Sequence, residues 1–358
     1  MADVKISQLP AAALPLSGTE IFPLVQNGVT VSAPTNAIAL QTNTIATLRQ
    51  TTPVAGTIIY LKGYYSAGDG GGGVFRGAVT SVTGTYADNG GSIIVPTGGD
   101  GSSAWLRVID GPIDVRWFGA KGDGISDDTA AIQAAINLGA GTIYYPDGTY
   151  SVNNVTIKSN QIHLGGGKAT LTSSTTAFIP AGNSSNVTID SLIFAGTGNG
   201  IYQIDTSFYA ISYHVRNCKF ARSLTECIYW TPINTIVEEN VFGFFLGSSN
   251  PSHRHLVMQG KPTGLTAANS NVVRKNYFTA AKGTESVLLF YGTCNSFKDN
   301  IWEGNGTLPV HINGGGAFQF DGNYFESNVS THQLYIEANS TAIPAPANAI
   351  YINYVMSF

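Results

Sequence analysis

Between Asp114 and Tyr150 the spacing of apolar positions changes period twice. Asp114 to Phe118 reads as a strand, Gly119 to Asp127 as a Gly/Asp-rich turn, and Asp128 to Asn137 as one short helix with an Ala131/Ile132/Ala135/Ile136 face. Ser126-Asp127 supplies an N-cap and acidic groups at the positive end of that helix. Gly141 to Tyr150 then reads as two strand runs around a Pro146-Asp147-Gly148 turn. Nearly everything beyond Tyr150 is strand-like. A lone helix at the head of a long β region is expected where stacked β coils leave an open apolar end to be covered.

A short motif recurs through that region: Asn217-Cys218-Lys219-Phe220, Glu239-Asn240-Val241-Phe242, Lys275-Asn276-Tyr277-Phe278, Asp299-Asn300-Ile301-Trp302 and Gly322-Asn323-Tyr324-Phe325. Its aromatic positions lie 22, 36, 24 and 23 residues apart, and Asp190 to Phe194 is a weaker earlier copy. A period near 23 suits one coil of a solenoid, and the interval of 36 implies a coil carrying a loop. Asparagine can take the left-handed conformation of a sharp bend and stack its amide on the next coil. The aromatic returns to the interior, together with Val215, Val237 and Val273 in a second column. The fold class is therefore all-β, a right-handed parallel β-helix with an N-terminal capping helix.

The first third of the chain has a different texture. Ile21 to Val25, Asn27-Gly28 and Val29 to Val31 predict a hairpin with a type I′ turn. Asn36 to Gln50 has helical spacing and suits a neck or a connector. Thr57–Leu61, Gly73–Arg76, Ser92–Val95 and Ala104–Val108 are strand candidates of a small β unit. Its Gly68 to Gly73 run lacks the Lys-Ser/Thr pair and following helix of a phosphate loop, and Gly165 to Thr170 fails the same pattern. The domains expected are 1–50, 51–112 and 113–358.

Composition narrows the function classes. Charged residues are 11% of the chain, against roughly 25% in ordinary soluble domains, while glycine reaches 42 residues. Many polar, uncharged turns produce that balance. A net charge of −4 leaves no footprint for nucleic acid. No run of about 18 apolar residues is present, so no membrane insertion is expected, and the start has no signal-peptide pattern. Cys218, Cys227 and Cys294 have no metal-site spacing and are expected as buried reduced thiols. His253-Arg254-His255 lacks a third ligand and is expected on a solvated loop, so neither metal nor cofactor is expected.

The Phe118-Gly119-Ala120-Lys121-Gly122-Asp123-Gly124…Asp127-Asp128-Thr129…Ile132-Gln133 pattern resembles the opening of pectate-lyase-superfamily β-helices, particularly those of bacteriophage tailspikes. Lys5 to Pro10, Gly18-Thr19-Glu20 and Val25 to Gly28 are similar to virion-attachment segments of phage tail proteins. Lys62 to Arg76 with Trp105 to Val108 is similar to the small β domain that often lies between them. The resemblance implies a virion-tail protein, assembled in the host cytoplasm. It would be a homotrimer that grips a tail or adaptor protein through residues 1–50 and meets host capsule or lipopolysaccharide with residues 113–358.

Under that resemblance, glycan cleavage needs two carboxylates beside one glycosidic bond, or a base for elimination. The residue after each core aromatic must point outward: Ala221, Gly243, Thr279, Glu303 and Glu326. Glu303 and Glu326 are thereby expected as neighbours on adjacent coils and form the candidate catalytic pair, with hydrolysis favoured over elimination. Glu226, Asp205 and Asp321 are further acidic candidates without a defined geometry. Glu239, Lys275 and Asp299 form an expected surface ion ladder. Tyr229 or Trp230 is the expected exposed glycan-binding aromatic, with Phe244-Phe245 and Tyr291 also outside the core column. A non-enzymatic adhesin or tail appendage is the alternative, and a secreted lyase a third reading.

Overall fold

A computed structural model describes residues 21–26, 29–34, 40–139, 141–260, 268–337 and 350–354. The attachment-like residues 5–20 and the Asn27-Gly28 turn lie outside them. The flanking strands Ile21–Gln26 and Val29–Pro34 pair antiparallel, as the hairpin pattern requires. The chain divides into two compact units between Val108 and Ile109.

In the first unit, strands Leu40–Thr42, Ile58–Leu61, Gly73–Val79, Ser103–Arg107 and Ile93–Ile94 form one five-stranded sheet. Of the stretch with helical spacing, the described residues 40–50 contain the first of these strands and a single helical turn, Ile45–Leu48. Ile45 and Leu48 are buried with Ile59, Phe75 and Trp105 in the small core. The Gly68–Gly73 run is a tight connection. Asp69 accepts backbone N–H bonds from Tyr64, Tyr65, Ser66 and Gly71, and Arg107 donates to the Gly71 and Gly72 carbonyls. A Cβ on Gly72 would lie 2.6 Å from the Leu61 carbonyl oxygen, which is why the run needs glycine there.

The second unit is a parallel β-helix. Each coil contributes a strand to each of three faces. The first face runs through Gly141–Tyr145, Gln161–Gly165, Ser185–Asp190, Ala210–Arg216 and their successors. The second runs through Gly148–Ser151, Ala169–Ser173, Ile193–Gly196, Lys219–Ala221, Val241–Phe244, Tyr277–Thr279 and Ile301–Glu303. The third runs from Val155–Ile157 through Glu226–Trp230, Arg254–Gln259 and Glu285–Thr293 to Leu334–Glu337. The pairings within these faces are parallel and keep the core aromatics in register, with a shift just after Phe220, where Ala221 pairs with Phe244.

The core aromatics form one stack. Phe194, Phe220, Phe242, Phe278, Trp302 and Phe325 follow each other at 4.9, 4.8, 4.7, 4.8 and 5.0 Å, with ring planes within 12°. Those spacings are the interstrand distance itself, so the sheet register imposes the stacking. Val215, Val237 and Val273 share a second column, continued by Phe297 and Phe320.

The asparagine column differs from the expectation in one respect. The left-handed residue is the one before each asparagine: Glu239, Lys275, Asp299 and Gly322, at φ 53–64°. The bend residue turns the chain, which leaves each asparagine free to point inward. Asn276 Oδ1 then accepts from the backbone N of Asn240 (3.1 Å) and its Nδ2 (3.0 Å), while Asn276 Nδ2 donates to the Val237 carbonyl (2.8 Å) and Asn300 Oδ1 (3.0 Å). In the first copy Asn217 is itself the left-handed residue, and Cys218 occupies the ladder position. Asn271 and Asn295 form a second such ladder, and Asn305 and Asn328 a third, at the other bends.

The helix spans Thr129–Ile136 and buries Ile132, Ala135 and Ile136 in the same core as Val115, Phe118, Val152 and Val155. It covers the end of the coils. Gln133 exchanges two hydrogen bonds with the backbone of Thr156, and Gln161 Nε2 donates to the carbonyls of Ile136 and Gly139 at the helix end. Asp127, one residue before the N-cap position, accepts from the Thr129 N–H at 2.9 Å, while the N-cap Asp128 makes no side-chain cap bond. Asp128 turns away from the helix, and its carboxylate holds the N–H groups of Lys121 and Gly122. Asp123 accepts from Ile125 and Ser126, which lowers its pKa to about 2. These acidic residues serve the turn that leads into the helix.

Candidate functional site

On the second face, the residue before and the residue after each core aromatic point outward, giving two parallel rows. One row contains Lys219, Val241, Tyr277, Ile301 and Tyr324; the other contains Thr279, Glu303 and Glu326. Glu303 and Glu326 are direct register partners on adjacent coils, the arrangement expected from the repeat. Each accepts a tyrosine hydroxyl. Tyr277 donates to Glu303 Oε2 at 2.7 Å, and Tyr324 donates to Glu326 Oε2 at 3.0 Å. Burial raises the Tyr277 pKa, and the Glu303 carboxylate adds to that rise, so the phenol remains a donor. Glu303 is half-buried and Glu326 exposed, so the pair lies at the surface beside three outward rings or branched side chains.

A second acidic cluster was not defined by the sequence pattern. Arg254 lies between Glu226 and Glu285 on three successive coils of the third face, donating to Glu226 Oε1 from Nε (2.8 Å) and to Glu285 Oε1 from Nη1 (3.1 Å). Both carboxylates are buried, and Glu226 Oε2 has no hydrogen-bond partner. Burial raises the Glu226 pKa despite the guanidinium beside it. Arg254→Met should lower the unfolding free energy at pH 7 by about 3–5 kcal/mol, because two carboxylates remain buried without their cation. The Glu226 contribution is present below its unfolded pKa and lost as pH rises through the raised folded value. The deficit relative to wild type should therefore shrink on acidification in urea unfolding; a deficit constant with pH would contradict this account.

Comparisons with known proteins follow the same division of the chain. The phage tail protein small four-stranded β-sheet domain matches residues 41–110. The rhamnogalacturonase A/epimerase, pectate lyase-like family matches residues 113–354, most of the chain. The chain belongs to this pectate lyase-like family. Among curated relatives, mannuronan C5-epimerase AlgE5 of Azotobacter vinelandii is 50% identical over 66 residues, covering 15% of this chain and 7% of the epimerase. Among solved structures, the tailspike protein of Acinetobacter phage vB_ApiP_P1 superposes with a TM-score of 0.63 at 16% identity, over 89% of this chain and 72% of the tailspike. Pantoea stewartii WceF, a glycan biofilm modifying enzyme with a tailspike-like parallel β-helix, gives 0.61 at 17% identity, over 90% of this chain and 52% of WceF. The chain thus spans a small part of the curated relative and about half of WceF. At these identities the solved structures establish a shared fold.

Within this pectate lyase-like body, several expected surface residues prove internal. Trp230 is fully buried, which corrects its expected exposure: Ile228 and Trp230 are inward positions, in register with Leu256 and Met258. Its ring packs edge-on against Tyr213 at 5.6 Å. Tyr229 faces outward, half-buried and stacked on Tyr202 at 4.6 Å. Phe245 is 75% exposed, whereas Tyr291 is buried. His253 and His255 are both fully buried instead of lying on a solvated loop. His255 bonds Ser286 Oγ and the Thr279 carbonyl while packing near Phe242 and Phe278. Of the cysteines, Cys218 and Cys227 are buried, while Cys294 is exposed at a left-handed bend.

The ion ladder is displaced by one residue. Lys275 and Glu239 meet at 3.6 Å on an exposed surface, but the closer pairs lie just before them: Asp190–Arg216 at 2.8 Å and Glu238–Arg274 at 2.6 Å, with His214 on Glu238 at 2.6 Å. The residue before the left-handed bend still belongs to the strand, so its side chain lies alongside its register partner.

Burial of three neutral histidines has a consequence for acid stability. Desolvation lowers His163 to about 3 and His253 to about 4, and holds His255 well below 6.5. The unfolded chain therefore binds more protons as pH falls below 6.5. Stability is full above that value and is lost on acidification toward the folded pKa values. Each histidine adds a slope of about 1.4 kcal/mol per pH unit, so urea unfolding between pH 6 and 5 should show a slope approaching ~4 kcal/mol if all three act in one transition. A pH-independent midpoint would contradict this burial.

Proposed function

We propose that the protein is a phage tailspike that binds and cleaves a host cell-surface polysaccharide. The observation that carries this reading is the in-register Glu303–Glu326 pair, each carboxylate held by a tyrosine hydroxyl on an outward sheet face. Adjacent coils place the two main chains about 4.8 Å apart, compatible with the ~5–5.5 Å carboxylate separation of retaining glycosidases. The hydrogen bond from Tyr277 fixes the Glu303 carboxylate in place and suits it to the role of nucleophile. Glu326, reachable from solvent, would protonate the leaving oxygen and later deprotonate water. The Tyr277 and Tyr324 rings offer apolar faces for sugar C–H groups, and Tyr229 on the third face offers another.

The tail-domain match at residues 41–110 supports a place in the virion tail. In this reading residues 1–50 contact a tail or adaptor protein, residues 51–112 form the anchor domain, and three copies assemble in the host cytoplasm. Leu48 belongs to the small core, so the informative truncation removes residues 1–39. It should abolish incorporation into virions while sparing glycan binding; loss of glycan binding would overturn the division of labour. Binding without cleavage is the second reading, favoured by the exposure of Glu326, which leaves that carboxylate in water. Incubation with purified surface polysaccharides separates the two. New reducing ends support hydrolysis, unsaturated products indicate elimination, and retention without products supports an adhesin.

A further inference from the structure

The 36-residue interval between Phe242 and Phe278 carries a loop that does more than lengthen a coil. Residues 246–251 line one side of an open groove of about 800 Å³ whose other side is formed by earlier coils. Its floor presents Thr149, Thr170 and Thr172, and its wall presents Leu246, Ser248 and Asn250. None of the described residues lining it is charged. The wall is preorganised. Asn250 donates its N–H to the Arg222 carbonyl (3.0 Å) and its Nδ2 to Thr225 Oγ1 (3.0 Å), and Arg222 Nε donates to the Gly247 carbonyl (3.1 Å). At the rim the Arg222 guanidinium lies 3.6 Å from the centre of the exposed Phe245 ring.

The lining selects among ligand classes. A peptide adding as a strand needs an open sheet edge, but this floor is a sheet face whose backbone groups already pair between coils. Nucleic acid needs a row of cations, whereas none of the described lining residues is cationic and Arg222 at the rim is committed to the Gly247 carbonyl and the Phe245 ring. Threonine methyls and hydroxyls, with Leu246 opposite, match a ligand that carries hydroxyls around apolar C–H faces. On the same sheet face Thr172 pairs with Ala195, and Ala221, fully buried, pairs with Phe244 across a register shift; Thr279, Glu303 and Glu326 follow in register on the later coils. Four coil steps, about 19 Å at the interstrand spacing, separate Ala195 from Glu303.

We propose that this groove is a second, non-catalytic binding site for an uncharged stretch of the same polysaccharide that meets Glu303 and Glu326. The proposal rests on the glycan reading above. One polymer engaging both sites gains affinity by linkage, whereas a short oligosaccharide filling one site does not. The test measures binding of a panel of purified bacterial capsular and O-antigen polysaccharides, neutral and uronate-containing, together with hydrogen exchange of residues 245–251. With a neutral polymer, wild-type loop amides should gain protection. Thr170→Trp, which fills the groove from a strand position, and Ser248→Trp, which fills it from the loop, should each remove that protection and weaken polymer binding tenfold or more. Tyr277→Ala should weaken binding but leave the loop protection in place at saturating polymer.

Polymer binding at wild-type affinity by both tryptophan variants, with loop exchange unchanged, would overturn the proposal while leaving the glycan reading intact. Protection by uronate-containing polymers alone would overturn the assignment to an uncharged stretch. Failure of every polymer to bind the wild type would remove the glycan reading and this site together.

Discussion

Glu303→Gln should reduce polysaccharide cleavage by about 10³-fold or more while changing binding only a few-fold. The substitution keeps the side-chain shape but removes the nucleophile, and loss of a group that acts in the chemical step lowers turnover without lowering affinity. Glu326→Gln should cost about 10²–10⁴-fold as the loss of a general acid–base group. The double variant should be little worse than the poorer single one, because residues that act as a unit are not additive. Tyr277→Phe removes the 2.7 Å hydrogen bond to Glu303 and should cost roughly tenfold, because the carboxylate loses the donor that positions it. Initial rates on one polymer, with binding measured in parallel, check all four. Wild-type rates for both single glutamine variants would move the chemistry elsewhere.

Asn276→Ala should be among the most destabilising substitutions in the chain. It leaves the Asn240 N–H and the Val237 carbonyl without this partner and removes one of the two bonds of Asn240 Nδ2, whose other goes to the Val215 carbonyl. Each orphaned buried group costs about 1–3 kcal/mol, so a loss of ~3–6 kcal/mol is expected. Asn217→Gly provides the contrast. Asn217 is a left-handed bend residue outside the ladder, where glycine relieves the backbone, so only the bond from its Nδ2 to Asp190 is lost. Its change should stay near 1 kcal/mol. Because each coil touches only its neighbours, both effects should appear in the stability of the adjacent coils by urea unfolding or hydrogen exchange. Equal losses at the two sites would contradict the assignment of Cys218, rather than Asn217, to the amide column.

That pair also marks where sequence reading succeeds and where it stops. The aromatic period set the coil register, and the register placed Glu303 against Glu326 because side-chain direction alternates along a strand. The valine column and the capping helix followed from the same logic. The asparagine pattern gave the period but not which residue bends, since a left-handed Glu239 or Lys275 is permitted only by the ladder beside it. Trp230 was ambiguous because its strand lies outside the repeated motif, so no recurring partner fixed its parity. His253 and His255 lie among polar residues, and their burial depends on Phe242, Phe278 and Ser286 contributed by other strands. The Glu226–Arg254–Glu285 cluster joins residues 28 and 31 positions apart, a contact visible only once the looped coil is in place. The threonine-floored groove depends on that same loop.

The central claim is that the outward carboxylate row hydrolyses a surface polysaccharide. Its most direct test is product analysis by mass spectrometry after digestion in ¹⁸O-labelled water. Hydrolysis at Glu303 and Glu326 predicts oligosaccharides carrying one ¹⁸O at each new reducing end, absent with the double glutamine variant. Unsaturated products without ¹⁸O, or labelled products formed equally by the double variant, would contradict it.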